Sequence, residues 1–220
     1  MVKGERIYTE YFGKKLHLGL NDWGISDISK IEGLERLTDL AFLDLSANDI
    51  TEIKGVEKLT NLETLGLQNN QITKITGLEE LTNLWHLHLN DNQIVEITGL
   101  DTLSSLGDLE VSRNKITTIS GLDNLINLGH LELQENKIKE ISGLDNLRKL
   151  ISLNLYHNQI SELKGLEHLE KLRSVELEEN YIPVEVIKQV GVKNPYSGPE
   201  DEYFQDIKKV VEYCRKKVKL

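Results

Sequence analysis

The sequence predicts an α/β solenoid, in which a parallel sheet of short strands lines the concave side and short helical or extended turns line the convex side. Leucine occurs 37 times in the 220 residues, whereas aromatic residues make up only 5%. A 22-residue frame recurs seven times without a gap from Leu37 onwards. One such unit is too small to bury its apolar face alone, so adjacent units must stack into a continuous core.

The frame divides the chain into three parts. Residues 1–36 are predicted to form an N-terminal cap hairpin and an aberrant first repeat. Residues 37–182 form the seven 22-residue repeats, and residues 183–220 form a C-terminal helical cap. Caps are expected because the terminal repeats of a solenoid have no neighbour to cover their apolar faces.

Each repeat is predicted to begin with a strand and to end with a turn. Leu43-x-Leu45 alternates with outward-facing residues, which indicates a short strand of a parallel sheet. Asn48 follows where the chain turns, and its recurrence predicts a ladder of amide hydrogen bonds to the backbone. Gly55 predicts a positive φ or a close backbone approach. The carboxylate behind it, Glu57 in this copy, either accepts N–H groups at the start of a helical turn or belongs to a cation-binding acidic ridge.

The repeats share one leucine-rich pattern, Leu37-x-x-Leu40-x-x-Leu43-x-Leu45-x-x-Asn48-x-Ile50-x-x-Ile53-x-Gly55. It resembles the 22-residue class of the leucine-rich repeat family over about residues 16–182, which implies a horseshoe-shaped solenoid. The half Ile-x-x-Ile-x-Gly-Leu, followed by an acidic residue, looks closer to the leucine-rich-repeat regulatory subunit of type-1 protein phosphatase than to bacterial internalins. This resemblance implies a regulatory scaffold for a phosphatase catalytic subunit or a similarly compact target.

The N-terminal end departs from the frame. Alternating residues on both sides of Gly13-Lys14 predict a hairpin over the edge of the first repeat: Ile7, Thr9, Tyr11, Leu16 and Leu18. The first repeat is 25 residues long, and Trp23 occupies the asparagine position. We interpret Trp23 as a capping residue, and a functional role for its side chain is the alternative.

The C-terminal end is predicted to be helical. Pro183 suits the first turn of a helix that runs to Val190. Apolar residues at intervals of three or four then describe one face of a second helix: Phe204, Ile207, Val211, Cys214 and Val218. Asn194-Pro195, Tyr203-Phe204 and Val210-Val211 resemble the C-terminal cap that closes proteins of this family, with its usual final strand missing or reduced to residues 218–220. Cys214 is interpreted as a core residue rather than a reactive thiol, and the basic tail, Arg215, Lys216, Lys217 and Lys219, is a candidate second contact site.

Composition and motifs exclude several classes of function. The net charge of −10 argues against a nucleic-acid partner, because neutralising phosphates needs a basic face. No apolar stretch suits a signal peptide or a membrane span, and a single cysteine fits a reducing compartment, so a cytoplasmic monomer without membrane contacts is expected. The sequence has no Gly-rich phosphate loop, Cys-x-x-Cys, His-Glu-x-x-His or Gly-x-Ser-x-Gly, so neither an enzyme nor a cofactor is expected.

Function is therefore predicted on the outward-facing residues of the strands. These residues differ between repeats while the frame beneath them hardly varies, as on a recognition surface built on a generic scaffold. Residues 37–182 contain 24 acidic and 12 basic side chains, which predicts a protein partner with a basic or mixed-charge surface. The predicted partner-binding residues lie on or beside the strands: Phe42, Trp85, His86, His88, Asp108, Glu110, Arg113, His130, Glu132, Tyr156 and His157.

Two alternatives remain open at this stage. The chain could be a structural or designed repeat protein without a specific partner. The row His86, Asp108 and His130, with His88, Glu110 and Glu132 beside it, could instead bind Zn²⁺, because neighbouring strands lie only about 4.8 Å apart. We expect no resident metal, since an open surface without a short-spaced ligand motif does not fix the geometry of coordination.

Overall fold

One sheet of nine strands runs the length of the repeats in the order of the sequence. The computed structural model describes residues 9–190 and 207–218. The strands are β1 (Glu10–Phe12), β2 (Lys15–Gly19), β3 (Leu40–Asp44), β4 (Thr64–Gly66), β5 (His86–His88), β6 (Asp108–Glu110), β7 (His130–Glu132), β8 (Ser152–Asn154) and β9 (Ser174–Glu176). β1 and β2 are antiparallel, and each later strand is parallel to the one before it, which confirms the predicted solenoid sheet.

The strands keep one register from repeat to repeat. Leu65 of β4 pairs with Leu43 on one side and with Leu87 on the other, and all three are fully buried. The strands from β4 to β9 have only three residues each, so the second leucine of the predicted alternation, such as Leu67, lies just after its strand. Leu67 is still fully buried, and its N–H donates to the carbonyl of His88 in the next repeat.

The predicted asparagine ladder is present, and it joins adjacent repeats. Oδ1 of Asn136 accepts the N–H of Ile116 at 3.0 Å, and its Nδ2 donates to the carbonyls of Val111 and Leu133 at 3.0 Å. Asn136 is only 7% exposed, so these bonds satisfy buried backbone groups of two repeats at once. Equivalent bonds recur at Asn70, Asn92, Asn114, Asn158 and Asn180.

The repeated glycine is required for both predicted reasons. Gly121 has a φ of 69°, and a Cβ at this position would lie 2.3 Å from the carbonyl oxygen of Ile97 in the preceding repeat. The convex side therefore packs backbone against backbone. In two repeats the following carboxylate supports the turn, since Glu57 accepts the N–H of Gly55 at 2.8 Å and Glu79 accepts that of Gly77 at 3.3 Å.

The convex turns are short. Among the described residues, regular 3₁₀ turns occur only in the first repeat, at Ile28–Lys30 and Leu34–Arg36. The strand register confirms that this repeat is three residues longer than the others, because Leu18 pairs with Leu43, which is 25 residues later. In later repeats single hydrogen bonds of the same type hold the turn, such as the bond from the N–H of Leu81 to the carbonyl of Leu78 at 2.9 Å.

The N-terminal hairpin covers the first repeat as predicted. β1 pairs with β2 around Gly13-Lys14 and forms the edge of the sheet, while Ile7 lies outside the described residues. The side chain of Trp23 packs against the core, and the backbone N–H of Trp23 donates to Oδ1 of Asn48 at 3.1 Å. These contacts support the capping interpretation of Trp23.

In the described part of the C-terminal region there are two helices, α1 (Val184–Val190) and α2 (Ile207–Val218). Val210, Val211 and Cys214 of α2 are buried, so Val210 adds to the predicted apolar face. Burial raises the pKa of the Cys214 thiol to about 11, which suits a core residue rather than a nucleophile. Phe204 and the Asn194-Pro195 and Tyr203-Phe204 motifs lie outside the described residues.

The final strand of the family's cap was expected to be missing or reduced to residues 218–220, and Val218 is the last residue of α2. The two residues after it lie outside the described part of the chain. Among the residues that are described, no helix has the length and apolar character needed to span a membrane.

Candidate functional site

The concave face consists of the side chains that point outward from β3 to β9. A further outward position lies two residues after the end of each strand, and at this position Ser46 and Ser112 are buried. Longer polar side chains bend over the strand ends at these places. Oδ1 of Asp44 accepts the N–H of Ser46 at 2.9 Å, and Oδ1 of Asn90 accepts the N–H of Ser112 at 2.8 Å.

Two histidine–carboxylate pairs bridge β5 and β6 at the middle of the concave face. Nδ1 of His86 lies 2.7 Å from Oδ2 of Asp108, and Nδ1 of His88 lies 3.1 Å from Oε1 of Glu110. The two imidazole rings are 6.2 Å apart between centroids and are nearly parallel, with 2° between their planes. The register of the strands therefore brings four predicted residues into one ordered polar group.

Both carboxylate oxygens of Glu110 are occupied within the chain. Oε1 pairs with His88, and Oε2 accepts Nδ2 of Asn90 at 2.6 Å. The hydrogen bond between His88 and Glu110 raises the pKa of the imidazole and lowers the pKa of the carboxyl group. Asn90 was not among the predicted residues, because its role depends on its position after the strand rather than on a motif.

Glu132 on β7 is less well satisfied. Its pKa is raised by burial and by the nearby carboxylates of Glu176 and Glu110, and a hydrogen bond with the side chain of Asn154 opposes this shift. Within the described residues, no Lys or Arg forms an ion pair with Glu132. We refer to Glu110, Glu132 and Glu176 as the acidic row. Within this row, Glu132 is the carboxylate whose ionised form a nearby positive charge would stabilise.

An apolar patch lies beside the acidic row, where the strands begin. Trp85, directly before β5, is 47% exposed, and its indole lies over Gly107, directly before β6. Gly129 and Ile151 occupy the same position before β7 and β8, and Ile151 is 37% exposed. We refer to these four residues as the apolar shelf. Sequence analysis selected only Trp85, although two successive glycines at a position held by Trp and Ile in neighbouring repeats were a usable signal.

The other predicted residues do not all join this central group. Phe42 stacks on the imidazole of His17, with 5.0 Å between ring centroids, near the N-terminal end of the sheet. Tyr156 is 37% exposed just after β8, with the ring of His157 6.0 Å from its own. His130 is exposed on β7, between the central group and Tyr156.

Arg113 is already paired within the chain. Its Nε and Nη2 donate to the two carboxylate oxygens of Asp91 at 2.6 and 2.8 Å, and Nη1 lies 3.6 Å from Glu135. The hydrogen bonds with Asp91 raise the pKa of Arg113. All three residues have φ between 51° and 56°, in a left-handed column that sequence analysis did not identify. Arg113 is therefore less available to a partner than predicted.

The concave face does not bring metal ligands together. His86 and His88 turn Nδ1 towards separate carboxylates, and their parallel rings do not converge on a common point. In residues 9–190 and 207–218, one group of three potential ligands has atoms within 4.8 Å of one another, and it lies on the convex side: Asp145, Glu167 and His168. Two of the three are exposed, and exposed acidic groups of this kind are common without an ion.

Comparisons with known proteins agree with this architecture. Residues 38–80 and 60–107 match the family model described as leucine-rich repeats, two copies. The structure is similar to an internalin, inlF, from Listeria monocytogenes strain 4b F2365, with a TM-score of 0.70, 31% identity and coverage of 80% of this chain and 52% of that chain. It is also similar to internalin C2 (inlC2) from the same strain, with a TM-score of 0.69, 32% identity and coverage of 76% and 73%. No curated protein matches the chain.

These comparisons qualify the resemblance inferred from the sequence. Both similar structures are internalins, so the predicted closeness to the phosphatase regulatory branch is not shown. The chain spans about half the length of the inlF structure that it matches. The shared feature is the repeat scaffold.

Proposed function

This chain belongs to the leucine-rich repeat family, and from that premise we propose that it is a non-enzymatic scaffold that binds a partner protein through its concave face. The partner has a basic or mixed-charge surface. The scaffold supplies a preformed array of strands, and the residues that vary on it supply the specificity.

The environment of Glu132 is the observation that carries this proposal. It is a half-buried carboxylate whose neighbours in the acidic row repel it, and no Lys or Arg of the described residues pairs with it. Burying a charge without a partner is unfavourable, so such a group gains most when a cation is brought to it. A Lys or Arg of a bound protein supplies that cation.

Two further observations support a protein partner. Trp85 and Tyr156 are exposed on or beside the concave face, and large aromatic residues are enriched among the energetic anchors of protein interfaces. The excess of acidic residues in the repeats also gives a long-range field that speeds association with a basic partner at low salt.

Finer points stay predictions from the sequence. Regulation of a phosphatase or a similar enzyme gains no support from the internalin neighbours. The cytoplasmic location and the monomeric state are predictions of this kind. A repeat protein without a partner is the competing hypothesis, and a concave metal site is disfavoured by the geometry of His86 and His88.

A charge-matched pair of variants tests which face binds. Glu132→Lys with Glu176→Lys reverses two charges on the concave face, and Glu79→Lys with Asp101→Lys reverses two on the convex side. Each protein is used as bait in a lysate of the source organism, and the captured proteins are quantified by mass spectrometry. We expect a partner that wild type and the convex variant retain and the concave variant loses. Loss of the partner by the convex variant alone would show that the partner binds on the convex side. Capture of no partner by the wild type would contradict the proposal.

A further inference from the structure

Gly107 holds the side chain of Trp85 in place on the concave edge. A Cβ on Gly107 would lie 2.4 Å from Cε2, 2.5 Å from Cζ2 and 2.8 Å from Nε1 of the indole, which no real side chain allows. Gly107 does not have the positive φ that marks the turn glycines of the convex side. The backbone therefore does not require glycine here, and a side chain at this position would displace the indole from its present place.

The apolar shelf continues from Gly107 to Gly129 in the next repeat. A Cβ on Gly129 would meet only the carbonyl oxygen of Gly107, at 3.7 Å, so the space above Gly129 is open. With strands about 4.8 Å apart, the distance across the shelf from the position of Trp85 to that of Ile151 is about 14 Å. The indole of Trp85 fills the space over Gly107, and Gly129 leaves room beside it for one aromatic or branched aliphatic side chain, with Ile151 on the far side.

The charged groups beside the shelf restrict what can occupy it. Gly107 and Gly129 are each followed three residues later by a member of the acidic row, Glu110 and Glu132. Three residues of extended chain span about 10 Å, so a Lys or Arg a few residues further along an extended segment can bring its charge to the acidic row. Both carboxylate oxygens of Glu110 are bonded, to His88 and Asn90, whereas Glu132 has one amide partner, Asn154, so Glu132 is the carboxylate that can still accept a cation.

We propose that the apolar shelf and Glu132 bind one segment of the partner protein, in which a bulky apolar side chain is followed within about four residues by Lys or Arg. The apolar side chain lies on Gly129, between the indole of Trp85 that covers Gly107 and the side chain of Ile151, and the basic side chain reaches Glu132. Gly107 is a positioning residue, because it acts through the indole of Trp85. The proposal rests on the proposed function and specifies the chemistry of the segment that the concave face recognises.

Three fluorescein-labelled peptides of about 12 residues serve as probes. The first has one Phe followed by two Lys within about four residues, the second has Ser in place of Phe, and the third has Glu in place of both Lys. Binding is measured by fluorescence anisotropy. We expect the first peptide to bind wild-type protein at least about fivefold more tightly than either of the others.

Glycine variants separate the shelf from general effects on the fold. Gly107→Ala and Trp85→Ala should each weaken binding of the first peptide by about fivefold or more, because the indole is displaced or absent. Gly19→Ala is the matched control, since its Cβ would make only an ordinary contact at 3.8 Å, on strand β2. It should leave binding unchanged. The emission of Trp85 should shift in Gly107→Ala and not in Gly129→Ala or Gly19→Ala.

The outcomes separate this proposal from the broader one. The proposal that the shelf binds an apolar side chain is overturned if the Phe and Ser peptides bind equally. It is also overturned if both Gly107→Ala and Trp85→Ala bind the first peptide as tightly as the wild type does. If binding then still falls in Glu132→Lys with Glu176→Lys, the concave face binds basic segments by charge alone and the proposed function stands. If no peptide binds, the shelf is rejected as a binding site for such segments. The bait experiment then tests independently whether the concave face binds a partner. If Gly107→Ala fails to fold, Trp85→Ala decides the result.

Discussion

Nδ1 of His88 lies 3.1 Å from Oε1 of Glu110, and this contact joins neighbouring strands of the concave face. The pKa of His88 is raised and the pKa of Glu110 is lowered, so the charged pair is favoured in the folded protein. The contribution of His88 is fully present below its unfolded pKa of about 6.5 and is lost as the pH rises through its folded pKa. The contribution of Glu110 is present above its unfolded pKa of about 4.3 and is lost as the pH falls through its folded pKa.

We therefore expect His88→Gln to lose more free energy of unfolding near pH 5.5, between these two limits, than near pH 8.5. Because both groups are about one-third exposed, the difference should stay below about 1 kcal/mol. Urea unfolding at the two pH values measures it. His130→Gln is the matched control, since it removes an exposed histidine from the same face. A pH dependence that is equal in the two variants would mean that the pair does not act as described.

Glu132 should reduce the stability of the free protein. A carboxyl group whose folded pKa is raised costs stability where it is ionised, and the cost disappears as the pH falls below its unfolded pKa of about 4.3. We expect Glu132→Gln to raise the free energy of unfolding at neutral pH by a few tenths of a kcal/mol up to about 1 kcal/mol. The gain should vanish near pH 4, and chemical denaturation at both pH values tests it. Destabilisation at neutral pH would contradict the inferred environment.

The recurring 22-residue pattern made most of the fold predictable from the sequence. Leucine spacing predicted the strands, and the recurring Asn and Gly predicted the ladder and the turns, because each is required by backbone geometry at every repeat. The exact strand ends were not predictable, since Leu67 keeps its backbone pairing after β4 ends.

The site was predictable only in part. Equal spacing placed His86 beside Asp108 and His88 beside Glu110, because the strand register follows from the repeat length. The internal pairing of Arg113 with Asp91 was missed because it depends on the left-handed backbone of both residues. The dependence of Trp85 on Gly107 required the direction of one side chain, which periodicity does not give.

The convex glycines should be far less tolerant than those of the shelf. In Gly121→Ala the new methyl group would meet the carbonyl oxygen of Ile97 at 2.3 Å, on a backbone with positive φ. We expect a loss of about 1–3 kcal/mol in the free energy of unfolding. Gly129→Ala, with open space and no positive φ, is the control and should change stability little. Equal stability of the two variants in urea would show that the convex packing is looser than described.

The buried amides should stabilise more than exposed ones of the same type. Asn136→Ala leaves the N–H of Ile116 and the carbonyls of Val111 and Leu133 without their buried partner, at a cost of about 1–3 kcal/mol. Asn146→Ala removes a single exposed bond to the carbonyl of Asp123 and should cost much less. Thermal or urea unfolding compares the two. A similar loss in both would mean that the ladder adds nothing beyond a surface hydrogen bond.

The C-terminal cap should be needed for cooperative folding. Val210, Val211 and Cys214 of α2 are buried, and Nε of Arg215 donates to the carbonyl of Glu167 in the sixth repeat at 2.9 Å. Deleting residues 183–220 uncovers the apolar end of the solenoid, so we expect aggregation or a broadened melting transition in calorimetry. Val210→Ser in the full chain should be destabilised by about 1–3 kcal/mol, because it places a hydroxyl group in the buried contact.

Lys216→Ser on the exposed side of the same helix is the control for that substitution and should be nearly neutral. A truncated protein that stays soluble with an unchanged melting temperature would show that α2 is an appendage. The basic residues Arg215, Lys216 and Lys217 would then be free to contact a partner. Reversing these charges and measuring both stability and partner capture would test their role as a second contact site. Charge reversal in a cap should reduce stability, whereas charge reversal in a contact site should reduce partner capture alone.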